Sequence, residues 1–369
     1  MFRLFVLSAK SLASSISYKL NRTIKSPVKP VFVNFPVTYR CNAKCIMCDI
    51  WKKYKKDDNE NKKLFDELTV EDIAGFLRKN RDFFSDLRSI GFTGGEAFLR
   101  KDIVEIIRAG HEELPWVDIG VQTNGLLPEL IRDKIIEILK FYPNFKIAVS
   151  LDGIGSTHDE IRGIDGAYEK AVRTIEYAAE LGITGITCGM TLTSKNFDKI
   201  KEVSEKVESL GCEFSCFLPE SSEYFGNLNN KNKLTKKELD IIAEELKDFS
   251  YHYFMDNLRS QITGRSRRTL PCYSGYTSYV INPYGEILPC ILIEESFGNI
   301  KDGIFKDIIN SDKAWGLRKK LENCKCWCEC EVSSSAIISP FDVVRWFLMN
   351  KNKTEILKNL NKKTLFKRL

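Results

Sequence analysis

From residue 31 onward the chain alternates two patterns: a short apolar, β-branched run, then a turn and a longer amphipathic stretch. VFVNFPVT (31–38) predicts a strand, because β-branched side chains suit a pleated, half-buried surface. LTVEDIAGFLRKN predicts a helix capped by Thr69, with acidic residues in its first turn. The alternation repeats as LRSIGFTG with KDIVEIIRAGHEE, DIGVQTNG with LIRDKIIEILKFY, and FKIAVSLDG with AYEKAVRTIEYAAELG, the last helix closed by Gly182. GITCGMTLT with NFDKIKEVSEKVESLG follows, and CEFSCFLPE is a sixth strand. Strands separated by helices of this length predict parallel βαβ units. Six of them predict an α/β fold, an open, partial (β/α)6 barrel of the TIM type rather than a closed eightfold one. In such folds the strand ends and the loops after them carry the chemistry.

Beyond residue 225 the rhythm changes. TKKELDIIAEELKDFS predicts a long helix, GRSRRTLPC a basic connector, and YTSYVINPYGEILPC a β-hairpin around Asn-Pro-Tyr-Gly. NCKCWCEC follows a short helical stretch, and the last segment opens on Ser339 as a cap with Pro340 in the first turn. The expected organisation is a basic amphipathic segment (1–30), the barrel (31–225), a helical connector (226–271), a small cysteine-rich domain with the hairpin (272–338) and a second basic amphipathic segment (339–369).

With 369 residues, 43% hydrophobic and 29% charged, the composition is that of a globular protein large enough to bury a substantial core. Twelve cysteines in so long a chain, without a secretory signal, argue against a disulfide scaffold and for reduced, metal-binding thiols in the cytoplasm. No stretch approaches the length of apolar chain that spans a bilayer. The net charge of +6 is unevenly placed. Residues 1–30 carry six basic side chains and no acidic one, and residues 339–369 carry eight basic and two acidic, so the body between them is at −6. An acidic body without a recognition module excludes nucleic acid as the partner. The tails interleave apolar and aromatic residues with Lys and Arg, which suits peripheral contact with the inner face of an anionic membrane. The competing reading is ordinary packing with a solvated lysine face.

Chemistry enters at Cys41, Cys45 and Cys48, spaced C-x3-C-x2-C directly after the first strand. Three thiols could form a zinc knuckle that borrows a distant ligand, or hold a [4Fe–4S] cube and leave one iron open. At the end of the next strand stand Gly94, Gly95 and Glu96: two glycines that permit close backbone approach, then an acceptor for an ammonium. Together, C-x3-C-x2-C after strand one and Gly-Gly-Glu after strand two resemble the radical S-adenosylmethionine (SAM) superfamily. Ala97 and Met47 depart mildly from its pattern.

The resemblance implies that the SAM amine and carboxylate chelate the open iron and that Glu96 holds the amine. SLDG with HDEIRG resembles the family's SAM-contacting segment. That implies Ser150 as a hydrogen-bonding hydroxyl and Arg162 as a bidentate carboxylate ligand, while Asp152 either joins them or caps the following turn. Gln122, Thr123 and Asn124, ending strand three, are expected to face the pocket, although Asn124-Gly125 alone would read as a turn. The implied reaction takes an electron from an external flavodoxin- or ferredoxin-type donor. It cleaves SAM to a 5′-deoxyadenosyl radical and abstracts hydrogen from an unactivated carbon. With only His111, His158 and His252 in the chain, imidazole acid–base work is not prominent.

Cys272, Cys290, Cys324, Cys326, Cys328 and Cys330 form a second set. Cys272-x12-Gly-x4-Cys290 and the hairpin resemble the SPASM or twitch extension of radical SAM enzymes, which holds auxiliary [4Fe–4S] clusters. The extension's usual later spacing is replaced by C-x-C-x-C-x-C. In an extended chain, period two would place all four of those cysteines on one side. One auxiliary cluster, two, or a zinc site in the run are the alternatives. Cys188, Cys212 and Cys216 read as buried structural thiols. Only about thirty residues precede the first strand, short for the leader-binding domain of peptide-modifying relatives. The substrate is expected to be a membrane-associated small molecule, such as a lipid or lipid-linked sugar. The alternative is a peptide that receives a cross-link or altered residue, and a non-enzymatic electron carrier is the outlier.

Overall fold

The structure, a computed structural model, describes residues 16, 18, 20, 23–54, 66–229, 233–264, 270–321, 324, 326–354 and 356. Most of the lysine-rich insert after the cysteine loop, most of the basic connector, the outer parts of both tails and the Cys330 side chain lie outside them. The first six strands are β1 (Phe32–Thr38), β2 (Ser89–Gly94), β3 (Asp118–Thr123), β4 (Lys146–Ser150), β5 (Ile186–Thr191) and β6 (Glu213–Phe217). Between them run α1 (Val70–Lys79), α2 (Ile103–Glu113), α3 (Pro128–Leu139), α4 (Ser156–Arg162), α5 (Ala167–Glu180) and α6 (Ile200–Ser209). All neighbouring pairs from β1 to β6 are parallel, as the βαβ rhythm predicts.

The two faces of this sheet differ in kind. Positions turned to the helices are apolar and buried: Val33, Phe35, Ile90, Phe92, Ile119, Val121, Ile147, Val149, Cys188, Met190 and Cys216 belong to one continuous core. The alternate positions mix small residues, Gly91 and Thr93, Gly120, Ala148 and Ser150, Gly189 and Thr191, with larger ones: the Phe32 ring lies against Gly91 and the Phe217 ring against Gly189. A closed eight-stranded barrel fills its interior with bulky branched side chains. Here small residues share the inner face with two aromatic rings.

Helix ends follow their sequence signals. Thr69 accepts from Asp72 N at 3.1 Å while Asp72 Oδ2 accepts from Thr69 N at 3.0 Å, a reciprocal capping box at the start of α1. Thr235 and Glu238 repeat it at α7 (Lys236–Glu245). Two helices had no clear signal: α8 (Tyr253–Ile262), and α11 (Glu329–Ile338), which sits in the cysteine run. Between them come β7 (Ser278–Ile281), β8 (Glu286–Leu288), β9 (Gly298–Asn299), α9 (Phe305–Ile309) and α10 (Asp312–Leu321), and α12 (Pro340–Met349) is the last. Ser339 precedes α12, but its hydroxyl donates to Asp342 Oδ2 at 2.8 Å instead of capping a helix N–H.

The hairpin does not stand apart from the barrel. β7 pairs in parallel with β1 over Phe32–Asn34, and β8 and β9 extend the same sheet antiparallel, giving the strand order 6-5-4-3-2-1-7-8-9. β1 is thus an interior strand that contains Pro36. The β7 ladder has ended before Pro36, and the register with β2 shifts between Pro36 and Thr38, which accommodates the missing N–H.

Candidate active site

The cysteine loop leaves the C-terminal end of β1 and is gripped from three sides. From β2, Gly95 N donates to Thr38 O at 2.8 Å and Glu96 N to Arg40 O at 2.7 Å. A Cβ at Gly94 would lie 2.1 Å from Thr38 O, and one at Gly95 2.2 Å from Arg40 O. The close approach these glycines permit is therefore to the loop's own backbone. From α4, Arg162 O and Ile161 O accept from Lys44 N and Ile46 N, both at 2.9 Å. The helix stops there because Gly163 turns left-handed at φ +64°, at a point where a Cβ would meet Lys44 O at 2.5 Å. From the segment after β6, Phe225 O accepts from Asp49 N and Asn227 Nδ2 donates to Met47 O, each at 2.8 Å.

The side chains converge on the same loop. Asn124 Nδ2 lies 3.8 Å from Cys41 Sγ and donates to Asn42 Oδ1 at 2.8 Å, while Arg162 Nη1 donates to Cys45 Sγ at 3.5 Å. Glu96 is fully buried. Its carboxylate accepts from Thr123 Oγ1 (2.9 Å), Phe98 N (3.1 Å) and Asn124 N (2.7 Å). Burial pushes its carboxyl up while these donors pull it back. Thr123 and Asn124 thus serve Glu96 and the loop. Gln122, on the opposite face of β3, is exposed and accepts from Thr93 Oγ1 at 3.3 Å, because strand side chains alternate. The expectation that all three face one pocket is corrected accordingly.

Asp152 is not a turn cap. It is buried, accepts from Thr191 N at 2.8 Å, and pairs with Arg162 Nη2 at 2.6 Å. Arg162 thus places Nη1 on Cys45 and Nη2 on Asp152, while its Nε is buried without a hydrogen-bond partner. Asp152 N donates to His158 Nδ1 at 2.9 Å, and burial, with the Arg162 charge, pushes the imidazole down to about 3, so it is neutral. Neither this chain of contacts nor the grip of Asn227 was legible in the sequence. HDEIRG was recognisable, but the partners of its His and Arg were not. Ser150 is half-buried at the end of β4, in register with Gly189.

Burial pushes the thiols of Cys41 and Cys48 up to about 12, and that of Cys45 up as well. Such thiols hold their protons at neutral pH, and binding to iron is what removes them. Shielded thiols with N–H donors aimed at two of the sulfurs suit an iron–sulfur cluster, whose potential is set partly by hydrogen bonds to sulfur. Among the described residues no group of three or more His, Cys, Asp and Glu side chains gathers around a point for a single ion.

The second cysteine set collects where the hairpin meets α11. Cys290 Sγ accepts from Leu292 N at 3.3 Å, and burial pushes its thiol up to about 12. Cys324 and Cys326 have sulfurs 3.3 Å apart, and Glu220, after β6, is pushed up to about 7 by burial and by the neighbouring Cys324. Tyr273 N, next to Cys272, donates to Glu331 Oε1 of α11 at 3.2 Å. A cavity of about 20 Å³ is lined by Asn34, Tyr279, Cys290, Cys328 and Glu331 among others. That is room for about one water, and Cys290 and Cys328 on its lining supply two thiols of the kind a cube takes. The extended-chain argument fails at its end: α11 begins at Glu329, directly after Cys328, so period two does not reach Cys330. Cys188, Cys212 and Cys216 are buried in the core, the first two interacting with each other.

Residues 35–207 match the family described as the radical SAM superfamily, and residues 272–331 match the iron–sulfur cluster-binding SPASM domain. The chain is 29% identical over 293 residues to the antilisterial bacteriocin subtilosin biosynthesis protein AlbA of Bacillus subtilis, covering 76% of this chain and 60% of that one. It is 26% identical over 313 residues to the sporulation killing factor maturation protein SkfB of the same organism, covering 82% and 70%. Among solved structures, Streptococcus suis SuiB bound to its precursor peptide SuiA superposes with a TM-score of 0.63 at 17% identity, over 85% of this chain and 75% of that one. By its partial barrel, its cysteine loop and both matches, the chain carries a radical SAM domain over residues 35–207 and an iron–sulfur cluster-binding SPASM domain over 272–331, and it spans 60% of the length of AlbA.

Proposed function

We propose that this enzyme is a peptide maturase that installs a cross-link or an altered residue in a ribosomally made peptide. The observation that carries this reading is the similarity to AlbA and SkfB, named for the making of a bacteriocin and of a killing factor. It favours a peptide over the membrane-associated small molecule that the tails suggested.

In this reading Cys41, Cys45 and Cys48 hold a cube, Glu96 holds the SAM amine, and Ser150 and Asn124 line the cofactor pocket. When bound, the cube and SAM supply one electron and a 5′-deoxyadenosyl radical. Gly94 and Gly95 let β2 seat the loop. We assign Arg162 to positioning Cys45, since both ends of its fork are engaged. Cys272, Cys290 and two of Cys324, Cys326, Cys328 and Cys330 hold one auxiliary cube. A flavodoxin- or ferredoxin-type donor supplies the electron, and the enzyme works in the cytoplasm against the inner face of the membrane.

The test is anaerobic incubation of the reconstituted enzyme with SAM, a reductant and any short peptide that an open reading frame beside its gene encodes. Expected are 5′-deoxyadenosine well above the peptide-free rate and a peptide lighter by two hydrogens. Stimulation by lipid extract but by no such peptide would return the substrate to the membrane-associated class.

A further inference from the structure

α12 is apolar on both faces. Inward, Val343 is buried, Trp346 Nε1 donates to Asp256 Oδ2 at 2.8 Å and its ring meets Tyr253 edge-on at 5.2 Å, and Asn350 Nδ2 donates to Ser250 O at 2.9 Å. Outward, Phe341, Val344, Leu348 and Met349 are 59, 49, 61 and 71% exposed. Spacings of three and four put the first three on one stripe. A helix facing only water carries polar residues on its outer side.

The N-terminal segment repeats the arrangement. Tyr18 is buried edge-on against Tyr273 and Tyr276, with ring centroids at 4.3 and 5.5 Å, while Ile16, Leu20 and Ile24, four apart, are 59, 59 and 61% exposed. The two segments meet inside the protein: Tyr18, Tyr276 and Ile338 share one apolar cluster, and Ile338 is two residues before α12 begins. The N-terminal segment and the approach to α12 are thus tied to one cluster.

Charge indicates what covers them. The first thirty residues carry six basic side chains and no acid, and residues 339–369 carry eight basic and two acidic. One of those acids, Asp342, is engaged by Ser339. A second copy would bring these two net-basic segments of the sequence against an equally basic pair. An anionic bilayer offers the complement, with acyl chains for the stripes and phosphates for the lysines and arginines. No helix among the described residues is long and apolar enough to cross a membrane, so the contact is a surface one.

We propose that the N-terminal segment and α12 form a docking surface for an anionic lipid bilayer, with Phe341, Val344 and Leu348 as its apolar contacts. This gives a surface to the membrane contact proposed above and does not depend on the peptide reading. The test is anaerobic flotation of the full reconstituted enzyme with vesicles of phosphatidylglycerol and phosphatidylcholine, or of phosphatidylcholine alone. Binding is expected to the anionic vesicles only, to weaken in high salt, and to fall at least about tenfold in Phe341→Ser/Leu348→Ser. The denaturant midpoint and iron content serve as the controls that the variant is folded, and both are expected to be unchanged. Absence of binding to anionic vesicles overturns the proposal, as does binding that the double variant leaves intact. So does a salt-resistant dimer, seen by sedimentation velocity, that the same variant dissolves. Failure of the peptide reading shows in the product assay alone.

Discussion

At Gly95 the obstacle to a side chain is backbone: a Cβ would come within 2.2 Å of Arg40 O and 2.9 Å of Cys41 Cβ, and neither can swing aside. Gly95→Ala is expected to displace the cysteine loop, to cost roughly 1–3 kcal/mol by overpacking, and to lower iron content with SAM cleavage. Iron per chain and the denaturant midpoint, measured on the same anaerobic preparation, check it. A variant that keeps full iron and midpoint would mean the loop is set by its other two anchors. The Gly-Gly-Glu motif was visible in the chain, but its reason was not. The sequence points to glycines near a bound group, and the structure shows them making room for the protein's own loop. Asn227 illustrates the same limit, since its bond to Met47 O joins residues 180 apart and no local pattern announces it.

Elements were legible where their ends carried their own chemistry. Thr69 and Asp72 close a capping box that the sequence marks directly, so Thr69→Ala should cost about 1 kcal/mol with little change in SAM cleavage. The midpoint of denaturant unfolding reads the first and a 5′-deoxyadenosine assay the second. All six parallel strands and five of the six helices between them follow apolar periodicity of period two or about 3.6; α4, STHDEIR, has one apolar residue and did not announce itself. α11 escaped because its residues, ECEVSSSAII, pack on several sides and so have no amphipathic period. The cysteine spacing drew attention to an extended run just where that helix starts. α8 escaped for a related reason: YFMDNLRSQI buries bulky residues near one end and follows an irregular connector.

At the scale of the molecule, the expected boundary near residue 272 separates sequence features more clearly than it separates structure. β7 lies beside β1 and carries the barrel sheet into the hairpin. A chain ending at residue 271 would leave Phe32, Val33 and Asn34 of β1 without their partners and expose an apolar edge, which invites strand-to-strand association. It is expected to elute in the void volume on size exclusion. A monomeric, soluble barrel would show instead that β7 is dispensable to the fold. The shared sheet also bears on how such enzymes can be recombined. A cassette exchanged between relatives cannot be cut at a linker and pasted, because the seam runs through a hydrogen-bonded ladder. Any transplanted auxiliary unit has to bring a first strand that fits the host's β1, so the two cofactor-binding halves are inherited as a matched pair.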